Sequence, residues 1–369
     1  VYFYGGTVES PLYESFQLNM LSNNCLINKQ KSQEVLMKKR LIALSAALCM
    51  VFTPAATITG TNVWAAETEM TEGAEKTDSD KTDSENPAST KPVVKNGLVK
   101  EAGGYVYYKN GKILKNAWKK VHRAKYYFGK NGYAYTGARR LNGKVYVFDS
   151  TGKLRRPSKA TVMKSGKYTY YVMPNGQAKT GWFMVGSKLY RADIKGRLSV
   201  SRTYKGISFN KKGYAKSNLN SKLKKEVMRT VSRITTPDMS KYQKLYACWR
   251  YLTSGNFYYG GYDPDFSDKD WYKEEAYDML MSGGGNCYGF ACTFAALAKE
   301  VGFDPYVVAG RVSGTRDGAA DGLTRHGWVM IDGCYYDPEG QYAGWFKGVY
   351  GEGSYNIAHT VQRYTRFTY

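Results

Sequence analysis

The chain has 369 residues, 54 Lys or Arg against 31 Asp or Glu, a formal net charge of +23 and 43% apolar residues. That length and apolar content exclude a wholly disordered or collagen-like chain and leave room for more than one domain. Three histidines (His122, His326, His359) and six cysteines without a Cys-x-x-Cys pair exclude a disulfide-stapled miniprotein and leave zinc without a ligand set, so neither metal nor cofactor is expected.

Residues 1–36 precede Met37, carry no recognisable pattern and read as an overlong start or unstructured segment. Met37-Lys38-Lys39-Arg40, the apolar run from Leu41 to Ile58 and the small residues around Ala65 are the three parts of a secretory signal peptide, residues 37–65. Pro54 and several threonines interrupt the apolar run, which favours cleavage over a retained membrane anchor. Residues 66–94 are dominated by Thr, Ser, Glu, Asp and Lys, cannot bury enough surface to fold, and read as a linker.

From 95 to 217 the texture changes. Lys95 to Lys216 holds 29 Lys or Arg against 3 Asp or Glu, more positive charge than the whole chain carries, so the remainder is slightly acidic. Asn110-Gly111, Asn131-Gly132, Thr151-Gly152, Asn175-Gly176, Lys195-Gly196 and Lys212-Gly213 recur about every twenty residues, with Tyr or Phe leading into most of these turns. Each unit reads as a short β-hairpin. A lone hairpin is unstable in water, so the units are expected to stack into an all-β solenoid. Such a basic rod attracts polyanions. Nucleic acid matches that charge, but the export signal argues against it.

Residues 218–369 read as an α+β domain. Asn218 to Ile234 has the pattern of a basic helix, and Pro237-Asp238 is expected to start another running to about Leu252. Asp263, Asp265, Ser267 and Glu274 have spacing reminiscent of a calcium loop, but Asp268 stands where the turn needs glycine, so a solvated acidic loop is the better reading. Phe290, Ala291, Phe294, Leu297, Ala298 and Val301 then recur at helical spacing, placing a helix from about Asn286 to Val301 with Cys287 in its first turn. Unpaired N–H groups and the positive end of the helix dipole favour a negatively charged sulfur there, and Gly283, Gly284 and Gly285 leave room for a substrate backbone.

His326 lies in a strand-like stretch, and Asp337 follows a second one, Cys334-Tyr335-Tyr336. A turn at Asp332-Gly333 makes these a hairpin able to bring His326 and Asp337 side by side. Nucleophile, base and orienting carboxylate then occur in one order, the parts of a thiol enzyme. Cys287 and Cys292 are five apart on one helix and point apart. Cys248 and Cys334 are in a position to pair, but burial in helix and hairpin is the simpler account.

Residues 240–341 resemble the transglutaminase-like superfamily, a branch of the papain-like cysteine enzymes. The resemblance rests on Tyr246 to Tyr259, the Gly-Gly-Asn-Cys-Tyr-Gly-Phe-Ala motif around Cys287, Gly310-Arg311-Val312, His326-Gly327-Trp328-Val329 and Tyr335-Tyr336-Asp337-Pro338. It implies Cys287 as nucleophile, His326 as base and acid, Asp337 as orienter, and an oxyanion hole using the Cys287 N–H with Tyr258, Tyr259 or Trp271. It implies acyl transfer to an amine or hydrolysis of peptide and amide bonds; a surface adhesin with an idle triad is the rival. Residues 97–215 resemble the cell-wall-binding repeats of the choline-binding type on exported Gram-positive proteins, although tyrosine stands where most units carry tryptophan. That resemblance implies secretion and non-covalent attachment to wall teichoic acid or glycan, with wall protein or peptidoglycan peptide as the enzyme's substrate.

Overall fold

The computed structural model describes residues 94–345, 349–355 and 357–369. The expected signal peptide, the residues before it and the linker up to residue 93 lie outside the described residues. Among the described residues no helix is long and apolar enough to cross a membrane.

The first part is all-β. Antiparallel hairpins form at Gly97–Glu101 with Gly104–Lys109, Ala117–Val121 with Ala124–Phe128, Gly137–Leu141 with Lys144–Phe148, Thr161–Ser165 with Tyr168–Val172, Gly181–Val185 with Lys188–Ala192, and Thr203–Tyr204 with Ile207–Ser208. The recurring turns from Asn131-Gly132 onward are not the hairpin tips, which fall at positions such as Asn142-Gly143. They follow each second strand. Asp149 shows their chemistry: its Oδ1 accepts from the amides of Thr151 (2.8 Å) and Lys153 (3.0 Å), while Gly152 takes φ +84°. The chain returning from this turn donates from Leu154 N to Lys125 O (2.8 Å), and Ala134 N to Tyr105 O and Leu198 N to Thr169 O repeat the contact. Each hairpin thus lends its backbone to the next, burying Phe128, Val147, Phe148, Val172 and Leu189 between units.

The second part is α+β. Helices α1 (Leu219–Ile234), α2 (Lys241–Thr253), α3 (Trp271–Ser282), α4 (Cys287–Glu300) and α5 (Pro338–Ala343) accompany a five-stranded sheet. Its strands are β1 (Tyr306–Ser313), β2 (Leu323–Ile331), β3 (Cys334–Tyr336), β4 (Tyr350–Glu352) and β5 (His359–Arg366), ordered β4-β3-β2-β1-β5 and antiparallel throughout. Both capping boxes are complete: Asn218 with Ser221 opens α1, and Ser240 with Gln243 opens α2. The second helix therefore begins at Ser240 rather than at Pro237, because the reciprocal cap outcompetes a proline start. Helix α4 is the centre of the domain. Twelve of its 14 residues are buried, with α2 and α3 on one side and the sheet on the other.

The two parts touch. Asn218 Nδ2 donates to Gly206 O (2.8 Å), and Met228 of α1 packs on the buried Leu189, Ile207 and Phe209 of the last hairpins. The buried Lys224 of α1 pairs with Glu300 and places its ammonium 5.3 Å from the Trp182 ring. Cys248 is a free, buried thiol, so it is not bonded to Cys334.

Candidate functional site

Asn286 fixes the start of α4. Its Oδ1 accepts from Tyr288 N (3.0 Å) and Gly289 N (3.2 Å), and its Nδ2 donates to Tyr262 O (2.8 Å), tying the helix to the preceding loop. Cys287 is the first helical residue and only 1% exposed. Just before it, Gly284 and Gly285 pair in parallel with Tyr258 and Tyr259, and the Tyr258 ring lies flat over Gly284, where a Cβ would stand 2.3 Å from it. On the other side, β2 passes close over α4 because Gly327 has no side chain. A Cβ there would lie 2.7 Å from the Tyr288 ring and 3.3 Å from Cys287 O.

His326 precedes that glycine and is fully buried. The turn at Asp332 (φ +51°) and Gly333 (φ +78°) returns the chain along β3, so that His326 Nε2 lies 2.8 Å from Asp337 Oδ2. Asp337 also caps α5: its Oδ1 accepts from Gly340 N (2.9 Å), and its Oδ2 accepts the Tyr355 hydroxyl at 2.6 Å. An acceptor-only carboxylate at Nε2 requires the proton there and leaves Nδ1, which has no hydrogen-bond partner among the described residues, as the free nitrogen of the ring. Burial works to lower the His326 pKa, but the charge and hydrogen bond of Asp337, joined by the neighbouring Cys287, outweigh it and hold the imidazole well above its ordinary value.

Four neighbours complete the site, none of them marked by the sequence motifs. Tyr355 arrives from the loop after β4, and burial, then the Asp337 charge, push its hydroxyl well above the usual range, so it stays a donor. Arg316 lies between β1 and β2. Its guanidinium donates to Tyr259 Oη (2.9 Å) and to Arg325 O, and opposing burial, the Cys287 charge helps raise its pKa. Trp345 places its half-exposed ring 6.0 Å from that of His326. Glu339, on α5, is fully buried with Oε2 3.7 Å from His326 Nδ1, and neither of its oxygens has a hydrogen-bond partner among the described residues. Burial, opposed by the His326 charge, raises this carboxyl to about 7. One signal pointed to Glu339: it stands two residues after Asp337 in Asp-Pro-Glu.

Of the three expected oxyanion partners, Tyr259 is the one whose hydroxyl is engaged beside the thiol, its pKa raised by burial and then by the Cys287 charge. Trp271 is buried against Phe266 (4.9 Å) and Tyr288 as part of the core, and Tyr258 covers Gly284. In the acidic loop, Asp263 pairs with Arg325, and Asp265 Oδ1 accepts from Ser267 N (2.9 Å) and Oγ (2.6 Å). One ligand atom each of His326, Asp337 and Glu339 falls within 4.8 Å of the others, close enough for a metal, although the first two already engage each other.

Residues 229–347 match the model of the transglutaminase-like superfamily. They form a transglutaminase-like domain, and an all-β hairpin solenoid precedes it. Among solved structures, the chain is similar to CbpF in complex with ipratropium (33% identity over 33% of this chain and 39% of that one, TM-score 0.27). It is also similar to choline binding protein F from Streptococcus pneumoniae with a peptidoglycan analogue (30% identity, 33% and 47%, TM-score 0.17) and to the Cp-1 phage endolysin complexed with choline (23% identity, 36% and 40%, TM-score 0.25). The chain spans less than half the length of each. No curated protein matches it.

Proposed function

We propose that the protein is an exported, cell-wall-associated thiol enzyme that carries out acyl transfer or amide hydrolysis through Cys287, His326 and Asp337. The observation that carries this reading is the buried 2.8 Å contact of His326 Nε2 with Asp337, which leaves Nδ1 for the sulfur at the N-terminus of α4. The Cys287 thiolate attacks an amide carbonyl carbon, the Cys287 N–H and the Tyr259 side steady the developing oxyanion, and the amine departs with the proton from Nδ1. A thioester remains. An amine or water then attacks it, returning a proton to Nδ1 and expelling the thiolate.

The basic solenoid holds this chemistry at the wall. Several of its aromatic rings already carry a cation of the chain itself: Lys119 over Tyr107 (4.8 Å), Lys125 over Trp118 (4.7 Å), Lys188 over Tyr214 (5.1 Å) and Arg191 over Tyr204 (3.3 Å). An added quaternary ammonium would have to displace them. The surface between units suits the opposite charge: Arg139, Arg140, Lys195 and Arg197 surround a cavity of about 360 Å³, and only Arg197 of the four has an acidic partner among the described residues. These features support phosphate-bearing wall polymers over choline as the anchor, and wall proteins or peptidoglycan stem peptides as substrates.

The test incubates the protein with a glutamine-containing peptide, with and without a primary amine, and weighs the products. The mass of the amine less ammonia, gained by the peptide only when amine is present, identifies transfer, and exchange of ammonia for water (a gain of about 1 Da) or chain cleavage identifies hydrolysis. Turnover unaffected by Cys287→Ala would sink the reading; no turnover together with intact wall binding would leave an adhesin.

A further inference from the structure

Glu339 is the buried ionisable group that the triad chemistry leaves without a task. It is fully buried, both carboxylate oxygens lack hydrogen-bond partners among the described residues, and Oε2 stands 3.7 Å from His326 Nδ1, which is itself without a hydrogen-bond partner there. The charged groups acting on it are His326, Asp337 and Arg316. Leaving a buried carboxyl unsatisfied costs stability, and a packing role would be filled more cheaply by glutamine or leucine.

The reaction cycle changes what this carboxylate faces. Before acylation it lies 3.7 Å from Nδ1 of an imidazole whose other nitrogen is held by Asp337. Once the leaving amine has taken the Nδ1 proton, the imidazole is neutral and the sulfur is an uncharged thioester. Asp337 and Glu339 then face the site with Arg316, partly exposed and engaged with Tyr259, as the cation acting on Glu339. That state favours a cation beside Glu339.

We propose that Glu339 is the seat of the acceptor's ammonium group, so that the acyl-enzyme is resolved by a primary amine in preference to water. The inference rests on the thiol-enzyme reading above and decides its transferase branch. A primary ammonium arrives with three N–H protons. Glu339 takes one, the freed amine attacks the thioester carbon as the S–C bond breaks, and Nδ1 of His326 takes the second, leaving one on the amide nitrogen. The products are the amide, the Cys287 thiolate with His326 imidazolium, and a protonated Glu339 that returns its proton to solvent. A carboxyl raised to about 7 by burial is suited both to pairing with a cation and to accepting a proton near neutrality. Since Glu339 would touch the reacting amine, it is a catalytic residue in this scheme.

The experiment acylates the full chain with p-nitrophenyl acetate at neutral pH and follows the p-nitrophenolate burst, while n-butylamine is titrated in and the ratio of N-butylacetamide to acetate is read by mass spectrometry. Wild type is expected to give a Cys287-dependent burst, with amide formation that saturates in amine. Glu339→Gln is expected to lose at least tenfold in amide-to-acetate ratio, with amide formation now linear in amine, and Glu339→Asp is expected to recover part of the ratio. A linear dependence in wild type, or an unchanged ratio in Glu339→Gln, overturns the assignment; the first does not require either variant to fold. A burst that is absent or survives Cys287→Ala overturns the thiol-enzyme reading itself, and this inference with it.

Discussion

How closely β2, which carries His326, passes over the Cys287 end of α4 depends on one missing side chain, so Gly327→Ala is the sharpest perturbation of the proposed site. The added methyl would stand 2.7 Å from Tyr288 Cδ1, 3.2 Å from Tyr288 Cα and 3.3 Å from Cys287 O. The Tyr288 ring is itself buried against Phe266 and Trp271, and the other two atoms belong to the backbone of α4, which the Asn286 cap holds in place. Restoring ordinary carbon contacts of about 3.5–4.0 Å therefore moves β2 outward by up to roughly 1 Å, taking His326 with it. Overpacking of this kind costs about 1–3 kcal/mol, which at roughly 2–4 °C per kcal/mol for a domain of this size lowers the melting temperature by several degrees. Misplacement of a reacting group by about 1 Å costs on the order of a hundredfold in rate, close to 2.7 kcal/mol in the barrier. Burst kinetics with an activated ester measure the second effect, and thermal unfolding measures the first. Should Gly327→Ala melt lower yet acylate within about twofold of wild type, the spacing of β2 from α4 does not set the rate, and the proposed Cys287–His326 pairing loses its structural support.

Three further outcomes follow from the same geometry. Iodoacetamide is expected to modify Cys287 ahead of Cys248 and Cys292, because burial pushes the Cys248 thiol up to about 12 and Cys292 well above its ordinary value, and His326→Ala should slow the reaction; equal rates at all three, read by peptide mass mapping, would count against an activated sulfur. Glu339 keeps its proton to about pH 7 when folded but ionises near 4.3 when unfolded, so it lowers stability progressively as pH rises from about 4.5 to 7, by on the order of 3 kcal/mol. Urea unfolding of Glu339→Gln should accordingly show a stability gain over wild type at pH 7.5 that is absent at pH 4.5, and a gain independent of pH would refute the buried, protonated carboxyl. Wall binding through the solenoid should weaken strongly between about 0.1 and 1 M NaCl, as the Debye length falls from ~10 to ~3 Å, and should resist competition by free choline; release by choline at low salt would restore the aromatic faces as the ligand site.

What the sequence made legible was local. The basic helix pattern of α1, the apolar periodicity of α4 and the Asp332-Gly333 turn each involve residues a few positions apart, and that turn alone is sufficient to carry Asp337 back beside His326. The hairpins were readable for the same reason, but where the recurring glycine turns fall within each unit was not. Type I′ tips and these Asx turns both draw on Asn or Asp close to a glycine of positive φ, and only the backbone bonds between units, such as Leu154 N to Lys125 O, distinguish them. Strands β4 and β5 were missed because their burial does not alternate: β5 is an edge strand, largely exposed along its length, and its pairing with β1 shifts register between Ala309 and Gly310.

The residues around the triad escaped notice on different grounds. Arg316 meets Tyr259 across 57 positions and Tyr355 meets Asp337 across 18, both from loops whose path follows from the sheet order and not from any local pattern. Glu339 was close enough in sequence to be seen, but its meaning depends on direction. Asp337 serves both as the cap of α5 and as the partner of Nε2, so the helix it caps begins beside the imidazole and turns Glu339 toward the opposite nitrogen. One carboxylate thereby orients the ring and the backbone that presents the second, which is why replacing Asp337 should disturb both halves of the proposed reaction and replacing Glu339 only one.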